Sequence, residues 1–146
     1  IVVGGIQDEG YFRGLQLLQK DLELAEAVHW LGQRTDALEI AAACDVGVLS
    51  SASEGLPVVL LEYGALGLPV VCTDVGQCRE VVDGGNAGIL VASGDHAALA
   101  GGILKLLTDK TLREELGKRL GKKVADQYSA DRAVREVAGV YREVLR

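Results

Sequence analysis

What most constrains the fold of this chain is a repeated alternation of short apolar runs and stretches of helical spacing. Ile1-Val2-Val3 before Gly4-Gly5 reads as a buried strand ending in a turn. Residues 11–27 carry apolar side chains at 12, 15, 17, 18, 22 and 24, the spacing of one helix face. Val28 to Gly32 reads as a short strand. Asp36 followed by Glu39 resembles a capping box opening a short helix to about Cys44. Val46 to Leu49 is a strand, and a helix over 57–66 follows with proline in its first turn. Val70 to Cys72 is a strand, residues 77–82 a helical turn, and Gly88 to Val91 the last strand. Helices over about 95–107, 110–126 and 130–145 close the chain as a helical tail. Strands this continuously apolar, alternating with helices, predict an α/β domain whose parallel sheet is covered by helices on both faces. Glycines cluster in the loops after strands, where such sheets bind ligands. With no repeat, low-complexity tract or internal linker, residues 1–146 read as one domain.

Fifteen basic residues stand against 21 acidic ones, a net charge of −6. That balance argues against a nucleic-acid backbone as the main partner, because such partners select a basic face. Free nucleotides stay within reach, since a few backbone N–H groups hold a phosphate without much positive charge. Cys44, Cys72 and Cys78 form no C-x-x-C pair and leave an odd count, so neither a disulfide framework nor a metal site is expected. Reduced thiols in the cytoplasm are the expectation instead. No run approaches the ~18 apolar residues of a membrane span, and no charged-then-apolar leader opens the chain. The sequence has no methionine and starts inside an apolar run, so it reads as a piece of a larger polypeptide.

Chemistry concentrates in the stretch Ser50-Ser51-Ala52-Ser53-Glu54-Gly55-Leu56-Pro57, which runs from a strand into a helix. Gly55 and Leu56 fall at the helix start, where unpaired N–H groups and the positive end of the dipole favour a pyrophosphate. Glu54 and Glu62 are eight residues apart; at ~100° per residue they would share a helix face to within ~80°, although Glu54 precedes the helix. A carboxylate accepts paired sugar hydroxyls well. Equally, Glu54 could serve only the helix dipole and Glu62 be a partly buried acid.

The block SSASEGLPVVLLEYGALGLPVVCTDVG resembles the signature of the retaining GT-B glycosyltransferases of family 4. The ordered features are E-G-x-P, a second Glu, G-x-P-V-V and a T-D-x-G turn. The likeness extends upstream through VHWLGQRTDALEIAAACDVGVLSS and downstream through NAGILVASGDHAALAGGILKLLTD, so it covers essentially the whole chain. It implies the Rossmann-like, C-terminal half of a GT-B fold, a donor of the UDP- or GDP-sugar kind, no cofactor and no metal. By the same likeness, Glu62 would bind the donor ribose and Glu54 would contact the transferred sugar near the reaction centre. The amides of Gly55 and Leu56 would meet sugar or diphosphate, and the backbone of Gly32-Gln33-Arg34 with Gly4 and Gly5 would border the base.

The family's diphosphate-clamping Arg and Lys, and its acceptor-side domain with a His near the scissile bond, have no counterpart in these residues. The isolated fragment is therefore expected to be inactive. Peripheral membrane association is a further expectation for the full enzyme. Position 63 is Tyr where the family more often has a small residue. The resembling fold orders its strands 3-2-1-4-5-6, which makes Ile1–Val3 strand 2 and Val46–Leu49 strand 4, with the strand between them missing. Three outcomes are expected: residues upstream of Ile1 supply that strand, another chain donates it, or residues 1–3 close directly on 46–49. Two other functions compete: a nucleotide-sugar epimerase of the same two-domain fold, and a non-catalytic partner-binding domain. The E-G-L-P block with Glu62 favours transfer over epimerisation, and a silent domain would have no chemical need of both acids. His29, His96, Asp45 and Cys72 read as structural, and Arg79 as a salt-bridged helix start or a border of the sugar.

Overall fold

Val70-Val71-Cys72 has no polar side chain to offer water, and it becomes the inner strand of a parallel sheet. In the computed structural model, which describes residues 1–145, all four residues of the strand Val70–Thr73 are buried. The chain divides into two units, Ile1–Ile40 and Ala41–Arg146.

In the second unit the strands are β3 (Gly47–Leu49), β4 (Val70–Thr73) and β5 (Ile89–Val91), all parallel in the order β3-β4-β5. Helices α3 (Val58–Ala65), α4 (Cys78–Val81), α5 (His96–Thr108) and α6 (Lys110–Gln127) cover this sheet, and α7 (Ala130–Val144) forms the tail. Successive side chains of a strand face opposite ways, and β4 shows the consequence. Val70 and Cys72 pack with Leu60, Val81 and Leu120 from α3, α4 and α6, whereas Val71 packs with Leu106 and Leu116 from α5 and α6. Helices thus cover both faces, as expected of the α/β class.

The capping side chains are local and legible. Asp95 accepts from the Ala98 amide at 2.8 Å, and Asp109 accepts from the Leu112 amide at 2.9 Å. On α6 the pairs Lys110–Glu114 (3.8 Å) and Lys122–Asp126 (2.7 Å) are solvated i,i+4 contacts. The Asp45 carboxylate lies 3.8 Å from Arg113 on α6, a structural contact.

In the first unit β1 (Val2–Val3) and β2 (Trp30–Gly32) pair in parallel, with α1 (Glu9–Asp21) between them in sequence and α2 (Ala37–Ala42) after them. Three expectations need correction. Residues 1–3 are not buried: Ile1, Val2 and Val3 are 66%, 42% and 37% exposed, because β1 pairs with β2 and with no other described strand. The ladder of β1 runs to β2. The helix over 11–27 ends earlier, at Asp21. Glu23 takes a left-handed φ of 55°, and its amide and that of Leu24 bond back to Lys20 O and Gln19 O at 3.0 and 2.9 Å. This is a Schellman ending, for which glycine is the usual residue. Finally, the Asp36 carboxylate is held by the Arg34 guanidinium at 2.7 and 2.6 Å.

Gln19 joins α1 to β2. Its amide nitrogen donates to Val28 O at 2.8 Å while its oxygen accepts from the Trp30 indole at 2.5 Å. Phe12 meets Trp30 edge-on, with ring centroids 5.3 Å apart.

Candidate functional site

The loop that follows β3 is bound to the loop that follows β4 at successive points. Thr73, 4% exposed at the end of β4, donates its hydroxyl to Ser51 O at 2.7 Å. The Gln77 amide donates to Gly55 O at 3.0 Å. Between these two bonds Gly76, with φ of +51°, lies so close that a Cβ there would overlap the Glu54 carbonyl oxygen and sit 2.7 Å from Gly55 O. An L side chain disfavours that φ and the space admits none, so glycine is needed for both reasons.

The clamp leaves the chemistry of the loop facing outward. Ser51 Oγ donates to Glu54 Oε1 at 2.7 Å, which fixes a half-buried carboxylate. Gly55 and Leu56 are exposed, and neither amide donates to an acceptor among the described residues. Pro57, buried at φ −76°, then starts α3. Two free donors next to a helix N-terminus are able to bond an anion, and the carboxylate beside them is able to accept hydroxyls.

α3 begins at Val58, so Glu54 stands outside the helix and the shared-face angle with Glu62 does not apply. Glu62 lies in the second turn of α3 with an exposed side chain. Its neighbour Tyr63 is half-buried against β3; a Cβ at Gly47 would fall 2.6 Å from the Tyr63 ring. The bare glycine therefore makes room for the large side chain at position 63. Burial, with Cys44 and Glu62 nearby, pushes the Tyr63 phenol above its ordinary value.

In the first unit Gly4, Gly5 and Gln33 come together. The Gly4 amide donates to Gly32 O at 2.9 Å, and a Cβ on Gly5 would stand 3.8 Å from Gln33 Oε1. A cavity of about 700 Å³ opens here, with Val3, Gly4, Gly5, Phe12 and Trp30 in its wall. Arg34 is engaged with Asp36, as described above. Arg79 is paired with Asp74 through two contacts, one at 3.1 Å, as a salt-bridged helix start would be.

The contacts of Ser51, Thr73 and Gly76 that hold the two loops together were not singled out from the sequence. The T-D-x-G turn was the available signal, since a glycine just after a strand often marks a positive φ or a close approach.

The cysteines serve packing. Cys72 and Cys78 are fully buried. Burial, helped by the neighbouring Cys78, pushes the Cys72 thiol from 9.0 up to about 12, and burial raises Cys78 as well. A raised thiol value favours the folded state fully below pH 9.0, and the advantage is lost as pH climbs toward 12. With a thiol reagent at pH 8, native protein should therefore show at most the half-buried Cys44, and denatured protein all three. Rapid native modification of Cys72 or Cys78 would contradict this packing.

A family model described as glycosyl transferases group 1 matches residues 1–123. The chain belongs to the group 1 glycosyltransferases. Among curated relatives of this chain, N-acetyl-alpha-D-glucosaminyl L-malate synthase of Bacillus anthracis is 34% identical over 132 residues, 90% of this chain and 34% of the relative. The glycosyltransferase EpsD of Bacillus subtilis, a putative one by its own name, is 36% identical over 86% of this chain and 33% of its own length. The chain thus spans about a third of these relatives. Sucrose-phosphate synthase of Thermosynechococcus elongatus superposes with a TM-score of 0.87 at 27% identity, over 98% of this chain and 37% of that one. Anabaena HepE in complex with UDP superposes with a TM-score of 0.91 at 25% identity, covering 97% and 40%, and HepE is also known with UDP-glucose. The α/β architecture, with parallel strands flanked by helices and a helical tail, is that of GT-B glycosyltransferase structures. Among the described residues no helix is long and apolar enough to cross a membrane.

Proposed function

We propose that the loop Ser51–Pro57 is the donor site of a retaining, metal-independent glycosyltransferase that takes a sugar from a UDP- or GDP-sugar. The observation that carries this reading is the pair of unbonded amides at Gly55 and Leu56 beside a carboxylate fixed by Ser51. Such a loop offers donors to the diphosphate and an acceptor to the sugar, and the amides also suit negative charge that develops on the leaving diphosphate. In this reading Glu54 contacts the transferred sugar, Glu62 accepts from the donor ribose, and Gly4, Gly5 and the Gln33-Arg34 loop serve the base. The relatives' names support the sugar-transfer class, and HepE's complexes support a uridine nucleotide sugar as the kind of donor.

These residues hold the donor half of the chemistry; transfer needs an acceptor-side domain and closure around both substrates. The 146-residue chain alone should therefore turn over no sugar. Substituting Glu62→Ala is expected to weaken nucleotide binding by ~1–3 kcal/mol, the usual loss for a charged hydrogen-bonding partner. Calorimetric titration of both proteins measures it. Unchanged affinity would assign Glu62 to the helix surface only.

A further inference from the structure

Glu54 is proposed above to contact the sugar, and its half-buried carboxylate sits on a loop rich in small residues. What fixes it runs backwards into the core. Its Oε1 accepts from Ser51 Oγ at 2.7 Å, so its position depends on where Ser51 is held. The Ser51 carbonyl in turn accepts from Thr73 Oγ1 at 2.7 Å. Thr73 has one hydroxyl proton and two acceptors within reach, Ser51 O and, at 3.4 Å, Leu49 O. The shorter contact takes the proton. Thr73 is also the one polar residue of β4, a strand whose residues are otherwise apolar and buried, so its hydroxyl is placed by the core.

We infer that Thr73 is a positioning residue: through Ser51 it holds the Glu54 carboxylate in place for the transferred sugar. This rests on the donor-site reading of Glu54. A methyl in place of the hydroxyl would leave the core filled and release the Ser51 carbonyl, whereas serine would keep the bond. The hydroxyl therefore separates positioning from packing.

The test compares T73V, T73S, S51A and E54Q with the wild type in the full-length protein that contains this domain. Hydrogen exchange of the Gln77 amide, which donates to Gly55 O across the same pair of loops, is measured without ligand as the first readout. T73V should speed it roughly two- to tenfold, the range expected for one lost hydrogen bond, and T73S should leave it unchanged. The second readout is affinity for UDP-glucose relative to UDP, because a change in folding alone would move both together. T73V and S51A should lower that ratio in the direction E54Q lowers it, and T73S should restore it. Exchange in T73V equal to the wild type would overturn the inference, as would an unchanged ratio in T73V where E54Q lowers it. If E54Q itself leaves the ratio unchanged, the donor-site reading of Glu54 fails, and the exchange readout alone decides the role of Thr73.

Discussion

Replacing Gly76 with alanine should destabilise the protein by ~2–5 kcal/mol and abolish nucleotide-sugar binding. Two independent costs add. The backbone there has φ of +51°, a left-handed conformation that costs an L residue ~1–2 kcal/mol. The new Cβ would also overlap the Glu54 carbonyl oxygen and meet Gly55 O at 2.7 Å. Neither neighbour is the flexible end of a side chain; both are backbone, so relief requires moving the loop itself. Overpacking of that kind costs a further ~1–3 kcal/mol. The displaced segment carries Glu54 and the free amides of Gly55 and Leu56, which is why stability and binding should fall together. Urea unfolding and titration of the same variant measure the two effects. A loss below ~1 kcal/mol with binding intact would mean the two loops are not held as described.

The second large effect separates propensity from packing. In a helix interior alanine is favoured over glycine by up to ~1 kcal/mol. Gly101 on α5 has nothing within 4 Å of where a Cβ would stand, so Gly101→Ala should stabilise by ~0.5–1 kcal/mol. Gly117 on α6 should behave oppositely. A Cβ there would run into the carbonyl oxygen of Gly67 and stand 3.4 Å from the backbone nitrogen of Pro69. Gly67, with φ of +67°, is the left-handed residue that ends α3; Leu68 N bonds back to Tyr63 O at 2.9 Å and Gly67 N to Gly64 O at 2.9 Å. That turn is doubly bonded and cannot retreat. Gly117→Ala should therefore destabilise by ~2–3 kcal/mol despite its better propensity. Thermal or urea denaturation of the pair decides it, and stabilisation by both substitutions would show that α3 and α6 are not in close backbone contact.

The second unit was largely legible in the sequence, and the reason lies in β4. Val70-Val71-Cys72 can only be an inner strand, and Asp95 and Asp109 mark helix starts by chemistry that is local. The first unit was less so. Burial of residues 1–3 depends on neighbouring strands, and with β2 as its one described partner β1 stays exposed. The end of α1 at Glu23 was hidden because the left-handed residue there is not glycine. Asp36 looked like a cap, but a guanidinium two residues away is the stronger partner for its carboxylate. At the candidate site Glu54, Gly55 and Leu56 could be read from the motif alone. The clamp formed by Thr73, Gly76 and Gln77 could not, because it arises only when two loops far apart in sequence meet.

The central claim is that this domain binds a nucleoside-diphosphate sugar through the loop after β3. Calorimetric titration with UDP, GDP and ADP addresses it most directly, run in parallel on wild type and Glu62→Ala. The account predicts that UDP or GDP binds the wild type more tightly than ADP, and that the substitution weakens the preferred nucleotide by the factor given above. Equal binding of all three, or none, in a folded wild-type protein would contradict it.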